Sequence, residues 1–239
     1  MKIPLLNIRF ANDLSPHEVP LFRGAVVAAL DNKLLLFHNH NGDEGLRYRY
    51  PLIQYKRIGG RAAIVCIGEG TEQIGELFAT SRYDLKLGER SMSLELDTVQ
   101  PMTYNMQVWQ QLFAYRITRW LPLNSANYAK FRQLESLADR YAMLEGLLTA
   151  NILSMAKGIG LRMDERIECH ITAMSGDPSW VRVKGVKVLA FNLEFSSNVS
   201  LPPYIGLGKH VSLGFGVVTR HRVHRGHGNM ESIKHFKEN

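Results

Sequence analysis

The chain has 239 residues, 45% hydrophobic and 21% charged, with a formal charge of +7 and a pI near 9.5. That length suits one large domain or two of about 100–120 residues. The apolar content excludes a disordered chain, and the charge favours a polyanionic partner, nucleic acid or an anionic membrane surface. Two cysteines, Cys66 and Cys169, are too few for a disulfide framework. The opening Met1-Lys2-Ile3-Pro4 is charged too soon for a secretory signal. No apolar run approaches a membrane span, so the expected location is the cytoplasm, with no membrane partner.

In chain order, residues 2–10 alternate and predict a first strand. Asp13 or Ser15 can cap a helix that has Pro20 in its first turn and Leu21/Phe22, Ala25/Val26 and Ala29/Leu30 on one face. Lys33–Phe37 is apolar and runs into a loop-like His38-Asn39-His40-Asn41-Gly42-Asp43. Tyr50–Ile58 and Arg61–Ile67 flank Gly59-Gly60 and predict a hairpin. Thr71–Phe78 reads as a short helix, and Met92–Val99 as a strand. The order strand-helix-strand-strand-helix-strand is the ferredoxin-like unit. A looser second round follows. Gln107–Leu121 reads as a long strand, and Ser125–Lys157 as helical, with a break suggested near Arg140 and Gly146. Arg166–Met174 and Trp180–Phe195 are strands across Gly176-Asp177-Pro178, and Phe215–Val223 is the last. The expected fold class is α+β, two tandem ferredoxin-like βαββαβ domains over 1–104 and 105–224, with a loose polar tail over 225–239.

The most distinctive stretch lies between the last two strands: Gly206-Leu207-Gly208-Lys209-His210-Val211-Ser212-Leu213-Gly214-Phe215-Gly216. Bare amides beside a lysine make an anion cradle; alternatively, four glycines make a turn that packs closely on a neighbouring element. The nucleotide P-loop and the dinucleotide fingerprint both fail here, the latter because position 211 is Val. The Gly-apolar-Gly, five-residue, Gly-apolar-Gly spacing closely resembles the C-terminal glycine-rich loop of the RAMP superfamily, RNA-binding proteins of CRISPR systems. Within it, the match is to the Cas6 family, which cuts CRISPR repeat transcripts. Tyr50-Pro51-Leu52-Ile53-Gln54-Tyr55-Lys56 is a weaker supporting feature. The resemblance implies two ferredoxin-like halves with the glycine loop before the last strand.

His38 and His40 are the candidate catalytic residues. Two apart in an extended segment, they would point the same way, and imidazole can act as base or acid near neutral pH. The resemblance implies an essential histidine after the first helix, where this pair falls. Which is base and which acid stays open. The plainer reading is two solvated loop histidines. The letters His-Asn-His match a metal-nuclease motif in name only, and a metal held here with Asp43 or Glu44 would be a strained cage. His221, His224, His227 and His235 could hold a metal loosely or touch RNA from a basic tail. Arg47, Arg49, Lys56, Arg57 and Arg61, interleaved with Tyr48, Tyr50 and Tyr55, suit phosphate forks and base stacking. A charged edge strand with half-buried tyrosines would read the same. Gly206, Gly208, Lys209, His210, Ser212, Gly214 and Gly216 complete the candidate RNA surface. Lys184, Lys187, Arg220 and Arg222 could extend it.

The resemblance thus implies a metal-independent endoribonuclease acting within CRISPR repeats. The 2′-OH would attack the adjacent phosphate and leave a 2′,3′-cyclic phosphate and a 5′-hydroxyl. No nucleotide or metal cofactor is implied. The partners implied are the repeat RNA, with other CRISPR effector subunits admissible, and a monomer or homodimer. The alternative is a non-catalytic RNA-binding subunit of a CRISPR effector complex; a basic ferredoxin-like regulator of some other RNA is a further one.

Overall fold

The computed structural model describes residues 2–30, 50–79 and 83–221. In the first half, β1 is Lys2–Asp13, α1 Val19–Ala29, β2 Ile53–Ile58 and β3 Arg61–Ile67. Then follow α2 (Gly70–Gln73), α3 (Gly75–Ala79), β4 (Asp84–Leu87), β5 (Arg90–Ser93) and β6 (Leu96–Asn105). The sheet order is β2-β3-β1-β6, antiparallel throughout. That is the ferredoxin-like order, with β6 as fourth strand.

Two boundaries differ from expectation. Thr71–Phe78 is two short helices, interrupted before Gly75, a residue that costs helix stability. Met92 and Ser93, expected to open the fourth strand, instead belong to β5, which folds back on β4 across Gly88. It does so because Leu85, Leu87 and Met92 all bury against the α1 side of the core. The strand that pairs with β1 starts later, at Leu96.

Both faces of this sheet are covered, which explains the nearly unbroken apolar run of β3. Ile8, Phe10, Ile53, Tyr55, Ala62, Ile64 and Cys66 point to α1. Ile3, Leu5, Val65 and Ile67 point the other way, into a core shared with the second half.

That half contains β7 (Val108–Trp120), α4 (Ser125–Gln133), α5 (Leu137–Gly158), β8 (Cys169–Met174), β9 (Ser179–Val183), β10 (Val186–Val199) and β11 (Val217–Arg220). Its sheet order is β11-β7-β10-β8, with β9 paired to the start of β10. This is again ferredoxin-like, except that the segment between β10 and β11 is irregular. The glycine-rich loop thus occupies the place of the second helix.

The helical stretch breaks at residues 134–136, not near Arg140 or Gly146. Leu134 turns extended, and the Ser136 side chain accepts hydrogen bonds from the amides of Ala138 and Asp139, capping a new helix. Leu144, Leu148, Ile152, Met155 and Ala156 of α5 bury in the shared core. Trp180–Phe195 is a hairpin turning at Lys184-Gly185, with Lys184 at φ 48°. The tail expected over 225–239 lies outside the described residues.

Candidate RNA-binding surface at the glycine-rich loop

β2 carries alternating duties. Ile53 and Tyr55 point into the core under α1, and the Tyr55 ring meets Phe22 edge-on at 5.7 Å. Gln54 and Lys56, one residue out of phase, face the glycine loop instead. Gln54 accepts from the Gly206 amide at 3.0 Å and donates to the Tyr50 hydroxyl at 2.8 Å. That hydroxyl in turn donates to the Gly206 carbonyl at 2.7 Å. Both backbone groups of Gly206 are therefore held by β2 and the residue leading into it. Lys56 is fully buried, and its ammonium donates to the Val211 carbonyl at 3.1 Å. Burial pulls its pKa down to about 7, because removing the ammonium from water disfavours the charged form. The Tyr55 amide donates to the Ser212 carbonyl at 3.4 Å, and Tyr55 pairs with Leu213 as a parallel bridge.

The four glycines turn their missing side chains towards protein. A Cβ on Gly206 would meet the Gln54 amide oxygen at 2.9 Å, and one on Gly214 would meet Val19 of α1 at 3.0 Å. Gly208, at φ 87°, has the Trp120 indole nitrogen 2.9 Å from where its Cβ would stand. Gly216, at φ 63°, would drive a Cβ into the Leu207 carbonyl. The amides of Leu207, Lys209, Leu213 and Gly216 donate to the carbonyls of Gly216, Leu121, His210 and Arg119. With Gly206 bound to Gln54, five amides of the expected anion cradle are already committed. The spacing of the glycines answers to packing.

The side chains left facing out are Lys209, exposed, with His210 and Ser212 half-buried. His210 stands at φ 56° with its ring 6.4 Å from Phe215. Burial, then the charges of Lys184 and Lys209, hold its pKa below the ordinary value. Lys184 therefore brings the tip of the β9–β10 hairpin beside the loop. Arg119, at φ 51°, lays its guanidinium 4.3 Å from the Phe215 ring centroid and donates to Pro16 of the first half. Burial lowers its pKa. Sequence reasoning passed over Arg119, since nothing in Arg116-Ile117-Thr118-Arg119-Trp120 signals a left-handed residue. Lys209 and Lys184 act on His210, and Arg119 lies on the same Phe215 ring, so three cations gather at this side of the loop.

The other expected contacts scatter. Arg57 is exposed, with its Nε donating to the Leu14 carbonyl at 2.6 Å. Arg61 shares Asp97 with Arg9, at 3.8 and 3.5 Å. Lys56 does not belong to an outward basic face: alternation on β2 turns it inward. Tyr50 and Tyr55 are likewise engaged by protein. Arg220 lies over the Phe113 ring, 4.9 Å from its centroid, and Lys187 is exposed on the hairpin. His221 lies 3.5 Å from Glu194. His38, His40, Asp43, Glu44, Arg47, Tyr48, Arg49, Arg222, His224, His227 and His235 lie outside the described residues. Among those described, no helix is long and apolar enough to cross a membrane.

Three comparisons place this arrangement. The profile of the Cas6b N-terminal domain matches residues 1–105, and that of the Cas6b C-terminal domain matches residues 107–221. A crystal structure of Cas6b superposes with a TM-score of 0.84 at 26% identity, covering 92% of this chain and all of the other. A second, of the CRISPR RNA processing endoribonuclease Cas6b, superposes at 0.71 with 24% identity and the same coverage, a likeness of fold. An uncharacterized protein of Methanocaldococcus jannaschii is 33% identical over 114 residues, 47% of this chain and 76% of that protein. Since the two domain profiles match both halves, the chain belongs to the Cas6b family.

Proposed function

We propose that this protein is an endoribonuclease that processes CRISPR precursor RNA within its repeats. The observation that carries the reading is the match of both halves to the Cas6b domains. The cations Lys209, Lys184 and Arg119, gathered about His210 and Phe215, supply a surface of the right charge for an RNA backbone.

The chemistry needs no metal. One of His38 and His40 takes the proton from a ribose 2′-hydroxyl as its oxygen attacks the adjacent phosphorus. The bond from phosphorus to the 5′-oxygen breaks, and the other histidine gives that oxygen a proton. The products are a 2′,3′-cyclic phosphate and a 5′-hydroxyl. Each proton transfer is worth about 10²–10⁴-fold in rate. The chain leaves the histidine-bearing stretch at Tyr50, whose hydroxyl is fixed to Gly206.

The test is single-turnover cleavage of repeat RNA in EDTA, with the product ends analysed. His38→Ala and His40→Ala should each cut about 10²–10⁴-fold more slowly while binding RNA nearly as tightly as the parent, with an unchanged salt slope. With one histidine neutral and the other protonated, the parental rate should peak near neutral pH. Absence of any cut product would favour a non-catalytic RNA-binding subunit. Cleavage that requires a divalent cation, or that leaves a 5′-phosphate, would overturn the mechanism.

A further inference from the structure

The β9–β10 hairpin has two faces with opposite characters. Val181, Val183, Val188 and Ala190 pack inward on Leu213 and Phe215 of the glycine loop. By strand alternation the other face carries Trp180 and Arg182 on β9, and Lys187 and Leu189 on β10. Arg182 stands directly opposite Lys187, and Trp180 opposite Leu189. Two cations facing each other across a strand pair repel. Among the described residues, none of Arg182, Lys184, Lys187 and Lys209 has a carboxylate within ion-pair distance. The described residues therefore leave this pair without compensation, as expected of a surface completed by an anion.

Trp180 gives the face its second property. It is 55% exposed although it is the largest side chain of the hairpin. A 74° edge-to-face packing with Tyr128 of α4, ring centroids 5.7 Å apart, helps hold it in place. From Trp180 to Lys184 the strand runs about 13 Å at ~3.3 Å per residue. The cations thus form a line from Lys209 and Lys184 through Arg182 and Lys187 to an anchored, open indole. A row of cations with an aromatic at its end fits a single-stranded nucleic acid, whose backbone follows the charge and whose base covers the ring.

We infer that the outer face of the β9–β10 hairpin is a docking site for an unpaired stretch of the RNA substrate, with one base stacked on Trp180 and the adjoining phosphates on Arg182 and Lys187. The inference rests on the RNA-processing reading and assigns part of the substrate to the hairpin of the second half.

The test uses the full chain and two probes, a single-stranded rU12 and a blunt RNA duplex of the same length, with binding read by fluorescence anisotropy in EDTA. Trp180→Ala should weaken rU12 binding by about 5- to 100-fold. The duplex should shift less than twofold, and the rU12 salt slope should be unchanged. Trp180→Phe should retain most of the affinity, since it keeps a ring against Tyr128. Arg182→Ala and Lys187→Ala should weaken both probes and each lower the salt slope by about 1. Should Trp180→Ala fail to fold, quenching decides the matter: rU12 should quench parental tryptophan emission, and Trp180→Phe should lose that quenching. Unchanged rU12 affinity in Trp180→Ala, an equal loss on both probes, or undiminished quenching in Trp180→Phe would overturn the site. So would a change of oligomeric state in Trp180→Ala with RNA affinity intact, which would mark the face as a contact between copies. A parent that binds neither rU12 nor repeat RNA would overturn the RNA-processing reading itself, whereas a parent that binds both and is indifferent to Trp180 would overturn only this inference.

Discussion

Lys56 and Lys209 stand on opposite sides of one glycine-rich loop, and their surroundings could hardly differ more. Lys56 comes up from β2 beneath the loop, fully buried, with its ammonium on the Val211 carbonyl. Lys209 leaves the upper side into solvent, beside His210 and within the field of Lys184. The lower side is a seam between the two halves, where each polar group of Gly206 has a partner on Gln54 or Tyr50. On the upper side, Lys209 and Lys184 have no carboxylate within ion-pair distance among the described residues. The difference teaches that basic residue and basic surface are separate properties. A lysine under the loop gives a hydrogen bond across the seam, but there its charge is a cost to the fold. A lysine above it costs the fold little and remains available to an anion.

The contrast is broken most severely at Gly216. A methyl group there would collide with the Leu207 carbonyl at a left-handed φ of 63°. Gly216→Ala should destabilise the protein by about 3 kcal/mol or more, combining backbone strain with a clash in a packed site. Equilibrium urea denaturation measures this; a loss below about 0.5 kcal/mol, the size usual for surface changes, would show that the seam is not rigid.

The next effect is a pH dependence at Lys56. Its folded pKa is near 7 against an ordinary 10.5. Between those values the unfolded chain binds the proton and the folded one does not, so stability rises with pH across that window. Below about 7 both states are protonated and the contribution is flat and unfavourable. The parent's stability relative to Lys56→Met should therefore be lowest below pH 7 and should rise by up to a few kcal/mol towards pH 10. Urea titrations of both proteins at a series of pH values provide the check. A stability difference constant with pH would mean that Lys56 keeps its charge throughout.

The smallest effect on the fold belongs to the upper side. Lys209→Ala should leave stability within about 0.5 kcal/mol yet weaken RNA binding and reduce the salt slope by about 1. Stability and salt-dependent affinity measured on the same preparation sharpen the comparison. A Lys209 variant that unfolds readily, or that binds with the parental slope, would erase the distinction between the two sides.

Much of this was legible in the chain itself. Alternation placed β1, two apolar runs about the Gly59-Gly60 turn placed the first hairpin, and the four-residue apolar recurrence placed α1. Those signals are local, since a strand or helix must repeat its apolar residues at its own period to present one face to a core. The family was readable too, because the glycine spacing is a rigid local constraint.

What the glycines do was decided by tertiary structure. Spacing alone suited an anion cradle as well as a packed turn. Only the fold brings Gln54, Trp120 and Val19, from positions far away in sequence, against Gly206, Gly208 and Gly214, and closes the loop so that the Leu207 carbonyl meets Gly216. The same holds for Lys56 and Arg57, adjacent in the chain and alike in charge. Strand alternation says that they face opposite ways, but not which face the second half covers. Arg119 left no trace in sequence, because its left-handed backbone is imposed by Asn192, which accepts its amide at 2.7 Å, and by the Gly216 amide on its carbonyl at 3.1 Å. The sequence by itself determined the element order, the basic charge and the family. The burial of each charge depended on contacts between residues distant in the chain, and those exist only once the two sheets have closed on their shared core.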